Sequence, residues 1–310
     1  MSHNGLIPDL VPAGPGRRKP EWLRMKRRGE GAFNEVRTLL REQKLNTVCE
    51  SANCPNRAEC FGSRTATFML MGEICTRRCT FCNIPGGRVA PLDPDEPRRV
   101  AEAVRALALK FAVVTSVTRD DLPDGGAAHF AATIHQIRHL NPGCGVEVLI
   151  PDFQGEPAAL ATVLDARPEV LNHNLETVPR LYKALRPNAD YGRSLQLLQR
   201  ARRFVDAHGG GMKVKTGIMV GVGEERDEVV DLMRDAAEHG VQVLTIGQYL
   251  QPSKQHHPVL RYVEPAEFAE LEEIGRELGL GWVESGPLVR SSYHAREQSE
   301  ARGAQPVADE

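Results

Sequence analysis

From residue 65 onward, short apolar runs alternate with longer stretches in which apolar residues recur at helical spacing. The runs are TATFMLM from Thr65, FAVVTSV from Phe111, VEVLI from Val146, EVLNHN from Glu169, MKVKTGIMV from Met212 and VQVLTIG from Val241. Helical patterning covers residues 95–109, 126–140, 156–165, 192–208 and 225–239 between them, and 265–279 after the last run. Strand and helix in strict alternation predict βα units on a mostly parallel sheet. Six units predict an α/β partial barrel, a TIM-type (β/α)6, because the closed form needs eight. An open doubly wound sheet is the other solution, and no internal repeat decides between them. In either fold the chemistry sits at the carboxyl ends of the strands.

The ends of the chain read differently. Residues 1–20 hold several Pro and Gly and the run Arg17, Arg18, Lys19 without apolar period, which predicts a flexible or wrapping arm. A helix is expected from Pro20 to about Arg41, with Trp22, Met25, Phe33, Val36 and Leu40 at loosely helical spacing. An irregular loop around Pro55 follows. The stretch WVESGPLVRSSYHA leads into a charged tail expected to be disordered. These boundaries divide the chain into an N-terminal extension (1–64), the barrel (65–284) and a C-terminal extension (285–310).

Composition narrows the partners. The chain has 310 residues, and 39 Lys and Arg against 41 Asp and Glu give a net charge of -2, which argues against a basic nucleic-acid-binding surface. No stretch reaches the roughly 20 apolar residues of a membrane span and no secretory signal opens the sequence, so a cytoplasmic setting is expected. Arg17, Arg18, Lys19, Arg24, Lys26, Arg27 and Arg28 make a basic N-terminal segment, readable as a contact for an acidic partner, as a nucleic-acid arm or as a solvated helix face, the last two being indistinguishable from sequence.

Six of the seven cysteines fall between Cys49 and Cys82, in two groups of three. Cys75, Cys79 and Cys82, spaced CxxxCxxC, follow the first expected strand and so sit on a loop at the functional rim. Three thiolates can hold three corners of a 4Fe-4S cube, leaving the fourth iron for a non-protein ligand. Zinc is the competitor, but structural zinc closes its fourth corner, paired CxxC motifs are absent, and Phe81 beside the last cysteine suits something flat. The other group, Cys49, Cys54 and Cys60, is spaced CxxxxCxxxxxC and again lacks an obvious fourth ligand. Cys144 stands apart and is expected to be a buried thiol.

The CxxxCxxC loop resembles that of the radical S-adenosylmethionine enzymes. There the open iron chelates the amino and carboxylate groups of S-adenosylmethionine, whose reductive cleavage gives a 5′-deoxyadenosyl radical. Together with the first cysteine group and Arg290-Ser291-Ser292-Tyr293, the sequence resembles the lipoyl synthases. The likeness runs from about Arg18 to Ala295 through TATFMLMGEICTRRCTFCNIPGGR, TSVTRDDLPDGGAAHFAATI, EVLIPDFQG, NHNLETV, VKTGIMVGVGEE and IGQYLQPS. It departs in NIPGGR, where many members carry a more acidic, His-containing segment.

The resemblance implies two 4Fe-4S clusters and S-adenosylmethionine. Sulfur is inserted at carbons six and eight of an octanoyl chain carried on a lysine of a lipoyl carrier domain. Cys75, Cys79 and Cys82 would hold the radical-generating cluster. Cys49, Cys54 and Cys60 would hold an auxiliary cluster that gives up its own sulfur, with Ser292, or Ser291 in its place, as fourth ligand. A serine oxygen is a harder and weaker partner for this iron than thiolate, and that suits a cluster meant to be consumed. By itself a Ser pair after Gly and Pro reads as a turn. The implied partners are octanoylated E2 subunits of dehydrogenase complexes and the glycine cleavage H protein, an electron donor such as flavodoxin or ferredoxin, and a cluster-repair carrier; neither nucleic acid nor membrane is expected.

Weaker candidates lie on the same rim. Asn174 and Glu176 could take ribose hydroxyls or open a helix. Gly221 and Gly223 could admit a nucleoside or simply make a tight turn, with Glu224 and Glu225 in the next helical turn. Arg119, Asp120 and Asp121, near Gly125 and Gly126, could meet substrate, cap a helix or pair among themselves. His256 and His257 read as a solvated loop able to close over substrate. Two other functions stay open at this stage: another radical sulfur-inserting or methylthio-transferring enzyme, and a zinc-stabilised interaction protein, which metal content would distinguish.

Overall fold

The computed structural model describes residues 19–24, 30–64, 66–209 and 211–300. One sheet organises them, with strands β1 (Asn46–Thr47), β2 (Thr67–Leu70), β3 (Phe111–Ser116), β4 (Gly145–Leu149), β5 (Val170–Asn172), β6 (Lys213–Val220), β7 (Val243–Gln248) and β8 (Trp282–Gly286). Their spatial order is their chain order. From β2 to β8 every pairing is parallel, while β1 runs antiparallel to β2. Right-handed crossovers that always step the same way put all helices on one face and curl the sheet. A doubly wound sheet would have to reverse its order, so the partial barrel is the solution.

The six expected units occupy β2–β7. Both flanking strands were missed for a physical reason: β1 is two residues long, and in β8 only Val283 is buried, so neither offers an apolar run. The sheet thus takes one strand from before residue 65 and another that crosses residue 284. Instead of one helix from Pro20 to Arg41 there is a 3-10 turn, Glu21–Leu23, and a helix, Glu30–Glu42. The arm with Arg17 and Arg18, the positions Met25, Lys26, Arg27 and Arg28, and the tail after residue 300 lie outside the described residues. Among the described residues no helix is long and apolar enough to cross a membrane.

The barrel interior has a charged floor. Lys215 Nζ on β6 donates to both carboxylate oxygens of Glu147 on β4, at 2.9 and 3.0 Å, and Asn172 on β5 donates to Glu147 Oε1 at 3.0 Å. The Lys215 and Glu147 side chains are 0% and 1% exposed. Cys144 is buried beyond this floor, against the start of β4.

His173, just past β5, is buried and links two layers. Ile150 O can only accept, so the Nδ1 lying 2.9 Å away carries the proton, and Nε2 is left to accept from the Ser194 hydroxyl at 3.0 Å. Burial, with the neighbouring Arg186 cation, pushes its pKa down from 6.5 to about 4. The folded chain therefore resists a proton that the unfolded chain accepts below its ordinary value. Stability from this group is complete above pH 6.5, falls as pH drops toward 4 and then levels; at about pH 5 the loss is about 2 kcal/mol. In thermal unfolding at about pH 7.5 and about pH 5, His173→Gln is expected to narrow the wild type's difference by that amount. An unchanged difference would assign the acid sensitivity elsewhere.

Candidate functional site

At the carboxyl ends of the strands lies a cavity of about 590 Å³, and all six clustered cysteines line it, with Phe81, Asn174, Glu176, Ser291 and Ser292. None is in a disulfide. Each arrives by a different local device.

The Cys75–Cys82 loop begins on a constrained turn. Met71 and Gly72 both have positive φ, +67° and +96°. For a residue with a Cβ that conformation costs on the order of 1–2 kcal/mol and needs support. Glu96 supplies it: Oε2 accepts from Met71 N at 2.9 Å and lies 2.7 Å from His129 Nε2. The loop is then stitched to the segment after β3, where Thr76 bonds Thr118 O through its amide and its hydroxyl. Two backbone amides, Arg77 N and Thr118 N, point at Cys75 Sγ at 3.4 and 3.3 Å and fix the place of that sulfur on the loop. The Arg77 guanidinium donates to Asp120 at 2.6 and 2.8 Å and to the buried Asp152 at 2.6 Å. That guanidinium holds the Asp152 carboxyl down at about 2 against the opposing effect of burial.

The acidic pair of the rim is thereby explained. Asp120 holds Arg77, and Asp121 receives both forks of Arg119 at 2.8 and 2.9 Å. Helix Ala127–Leu140 is opened by Asp124, whose carboxylate accepts from Gly126 N and Ala128 N.

His256 and His257 are not a solvated loop. His257 N donates to Thr80 O at 2.9 Å, His256 Nε2 lies 3.0 Å from Cys82 O, and His257 Nε2 lies 2.9 Å from Val222 O. The pair clamps the cysteine loop against the 221–223 turn. Adjacent histidines gave no spacing signal for this, because it depends on two carbonyls from other loops.

The first cysteine group does not lie on irregular chain. Cys49 sits in the short helix Val48–Ser51, capped by Thr47, whose Oγ1 accepts from Cys49 N at 3.2 Å and donates to Thr67 O at 2.8 Å. Cys60 lies in helix Arg57–Gly62, with Cys54 on the turn between. The C-terminal segment reaches this group because two strand positions lack side chains. A Cβ on Gly247 would come within 2.2 Å of Val289 O, and one on Gly217 within 3.0 Å of Ser291 Oγ. Asn56 donates to Leu288 O at 2.7 Å, tying the cysteine group to that segment.

The two serines are placed differently. Ser291 Oγ exchanges hydrogen bonds with the Asn174 amide at 2.8 and 3.0 Å, whereas Ser292 faces the same cavity one residue on. Asn174 also donates to Glu176 at 3.1 Å. Neither opens a helix, since Glu176 bridges to Ile218 on β6 and the next turn is capped by Val178. Gly221 lies off the cavity, behind Gln248, and the Glu224 carboxylate braces its turn by accepting from Gly221 N and Val222 N at 2.6 and 2.9 Å. Glu225 forms a capping box with Glu228.

The thiol chemistry fits an iron–sulfur group. Burial pushes the Cys60 and Cys82 thiols up to about 12 and raises Cys54 and Cys79, and charge on neighbouring sulfurs of the same triad raises these four further. Buried thiols of this kind shed their protons only to a cationic core, so loading releases protons. Among the described residues no three His, Cys, Asp or Glu are grouped around a single metal ion. A four-iron cube keeps its thiolates further apart than one ion does, and each triad opens onto a cavity with room for it. Sequence reading missed Arg77, Asp152 and Arg186, since isolated charged residues carry no spacing signal, and named Arg290 only as part of its motif.

The profile of the Radical SAM superfamily matches residues 69–236. The chain is 54% identical to the lipoyl synthase of Rubrobacter xylanophilus over 92% of its own length and 88% of that protein's. It is 55% identical to that of Caldanaerobacter subterraneus (90% and 96% covered) and 56% identical to that of Koribacter versatilis (94% of each). Solved structures share the fold: the hydrogenase maturase HydG with TM-score 0.56 at 19% identity (91% of this chain, 62% of that one), and methylornithine synthase with 0.51 at 16% (79% and 73%). Two cysteine triads and a serine-bearing C-terminal turn around one cavity, on a parallel partial barrel, accompany sequence identity above one half across nine-tenths of the chain: the chain belongs to the lipoyl synthases, within the radical S-adenosylmethionine superfamily.

Proposed function

We propose that this enzyme inserts two sulfur atoms, at carbons six and eight, into an octanoyl chain on a lysine of a lipoyl carrier domain. The observation that supports it most is the convergence of both cysteine triads on one cavity. When bound, the two clusters and S-adenosylmethionine supply a primary carbon radical and sulfide, which suits C–H bonds that no side-chain base can deprotonate.

The residues supply the rest. Cys75, Cys79 and Cys82 hold one cluster; Cys49, Cys54, Cys60 and Ser292 hold the other. Asn174 and Glu176 take the ribose, Phe81 packs the flat ring system, and the Gly221 turn supports that wall through Gln248. The Arg77–Asp152 pair and the two histidines keep the radical-generating loop in register. The N-terminal extension (1–64) and the C-terminal extension (285–310) supply the auxiliary ligands, and the barrel (65–284) supplies the radical-generating loop. E2 subunits and the H protein are the carriers, flavodoxin or ferredoxin the reductant, a cluster carrier the means of repair, and the cytoplasm, where thiols stay reduced, the setting.

The test is the mass of an octanoylated carrier domain after anaerobic incubation with the reconstituted chain, reductant and S-adenosylmethionine. Gain of two sulfur atoms per octanoyl chain is expected, and Ser292→Cys, with a tighter fourth ligand, is expected to stall after none or one. Unchanged carrier with wild type, or a methylthio product, would replace this reading by that of another radical enzyme.

A further inference from the structure

Three guanidiniums stand in the cavity wall: Arg77, held by Asp120 and Asp152, Arg186 near Cys79 and Arg290 near Cys54. They are employed differently. Arg186 donates to Asn174 O, Leu175 O and the Tyr182 hydroxyl at 3.0, 3.2 and 3.0 Å, with the Glu176 carboxyl nearby. Arg290 donates to the carbonyl of its own neighbour, Val289, at 2.5 Å, and among the described residues no carboxylate pairs with it. A guanidinium has five N–H donors and keeps its charge under all ordinary conditions. Most of Arg290's donors therefore remain for the cavity.

An enclosed cation is retained where an anion meets it. Space for this one is deliberate, since a Cβ on Gly247 would crowd Arg290 Nη1 at 3.2 Å. Cys54, which lines the same cavity, is the charge it feels, and Ser292, the next residue but one, lines that cavity too. Three thiolates and a serine oxygen around a cube leave net negative charge in a partly buried site. Net charge and hydrogen bonds to sulfur are the terms that set such a group's reduction potential.

We propose that Arg290 is the resident counter-cation of the iron–sulfur group held by Cys49, Cys54, Cys60 and Ser292, raising its reduction potential and slowing the loss of its iron. Arg290 is a positioning residue, acting through charge on the ligand set, and the inference rests on that ligand assignment. The segment that delivers the weak oxygen ligand thus delivers the compensating charge as well.

The test uses the full chain with Cys75, Cys79 and Cys82 replaced by Ala, so that the auxiliary group alone is read. Arg290→Gln and Arg290→Lys are compared with this parent by anaerobic redox titration and by iron release to a chelator. Arg290→Gln is expected to shift the reduction equilibrium about tenfold toward the oxidised form, about 59 mV for one electron, and to release iron about tenfold faster. Arg290→Lys, which keeps the charge, is expected to stay near the parent in both. A Gln variant indistinguishable from the parent, or a Lys variant that falls with it, overturns the proposal. Should Arg290→Gln hold no cluster, Arg290→Lys decides: retention at the parent's potential supports the role and loss overturns it. Weaker S-adenosylmethionine binding by Arg290→Gln in the intact chain, with the auxiliary potential unmoved, would give the cation to that ligand's carboxylate and sink the inference. A parent holding no cluster would instead refute the ligand assignment beneath it.

Discussion

Replacing Cys75, Cys79 and Cys82 together by Ala is expected to halve the iron and acid-labile sulfide of the anaerobically reconstituted chain, from about eight of each to about four. Cleavage of S-adenosylmethionine should disappear with that loss. The physical basis is the separateness of the triads. Cys82 feels Cys79 and Cys75, and Cys79 feels Cys75; Cys60 feels Cys49 and Cys54, and Cys54 feels Cys49, so the resolved perturbations run within each triad. The first triad is held by its own short helices, by Thr47 and by Asn56, and its tie to the other loop, Asn83 donating to Ser51 O at 2.8 Å, uses no cysteine and is kept in the variant. Removing one set of donors therefore leaves the other intact. Stoichiometric zinc with little sulfide in the wild type would return the chain to the class of zinc-stabilised modules, and loss of all iron in the variant would show that the two sites load as one.

Lys215→Met is expected to be the most destabilising single change in the barrel, at about 3–5 kcal/mol, because it strands the Glu147 carboxylate in the core with Asn172 as its remaining partner. The bridge itself contributes far less than its rupture costs. Taking two charges out of water offsets most of their attraction, so Lys215→Met combined with Glu147→Gln should recover most of the loss. Thermal unfolding of the two variants beside wild type checks this. If the double variant is as unstable as the single one, the loss reflects packing of the lysine stem and not an orphaned charge.

The alternation of apolar runs with amphipathic stretches was sufficient for six strands, their helices and a parallel sheet, because burial on both faces forces that pattern into the residues themselves. It could not choose barrel over doubly wound sheet, which depends on the order in which strands lie side by side. It also missed β1 and β8, where pairing with an existing edge does what apolar content does elsewhere.

At the site the division is similar. Cysteine spacing is a local property, since three ligands to one cube come from one loop, and both triads were therefore legible. The supports of those loops were not: Arg77 meets Asp152 across 75 positions of chain, His256 meets Cys82 across 174, and Asn56 meets Leu288 across 232. The sequence by itself determined the chemistry, through the identity and spacing of thiols and the RSSY segment. Only the tertiary structure decided that both triads share one cavity, that Asn174 engages Ser291 while Ser292 faces that cavity, and that Arg290 enters it with no acid beside it among the described residues. Those facts depend on glycines at 217 and 247 opening room for a distant segment, and such close approach leaves no periodic mark in the chain.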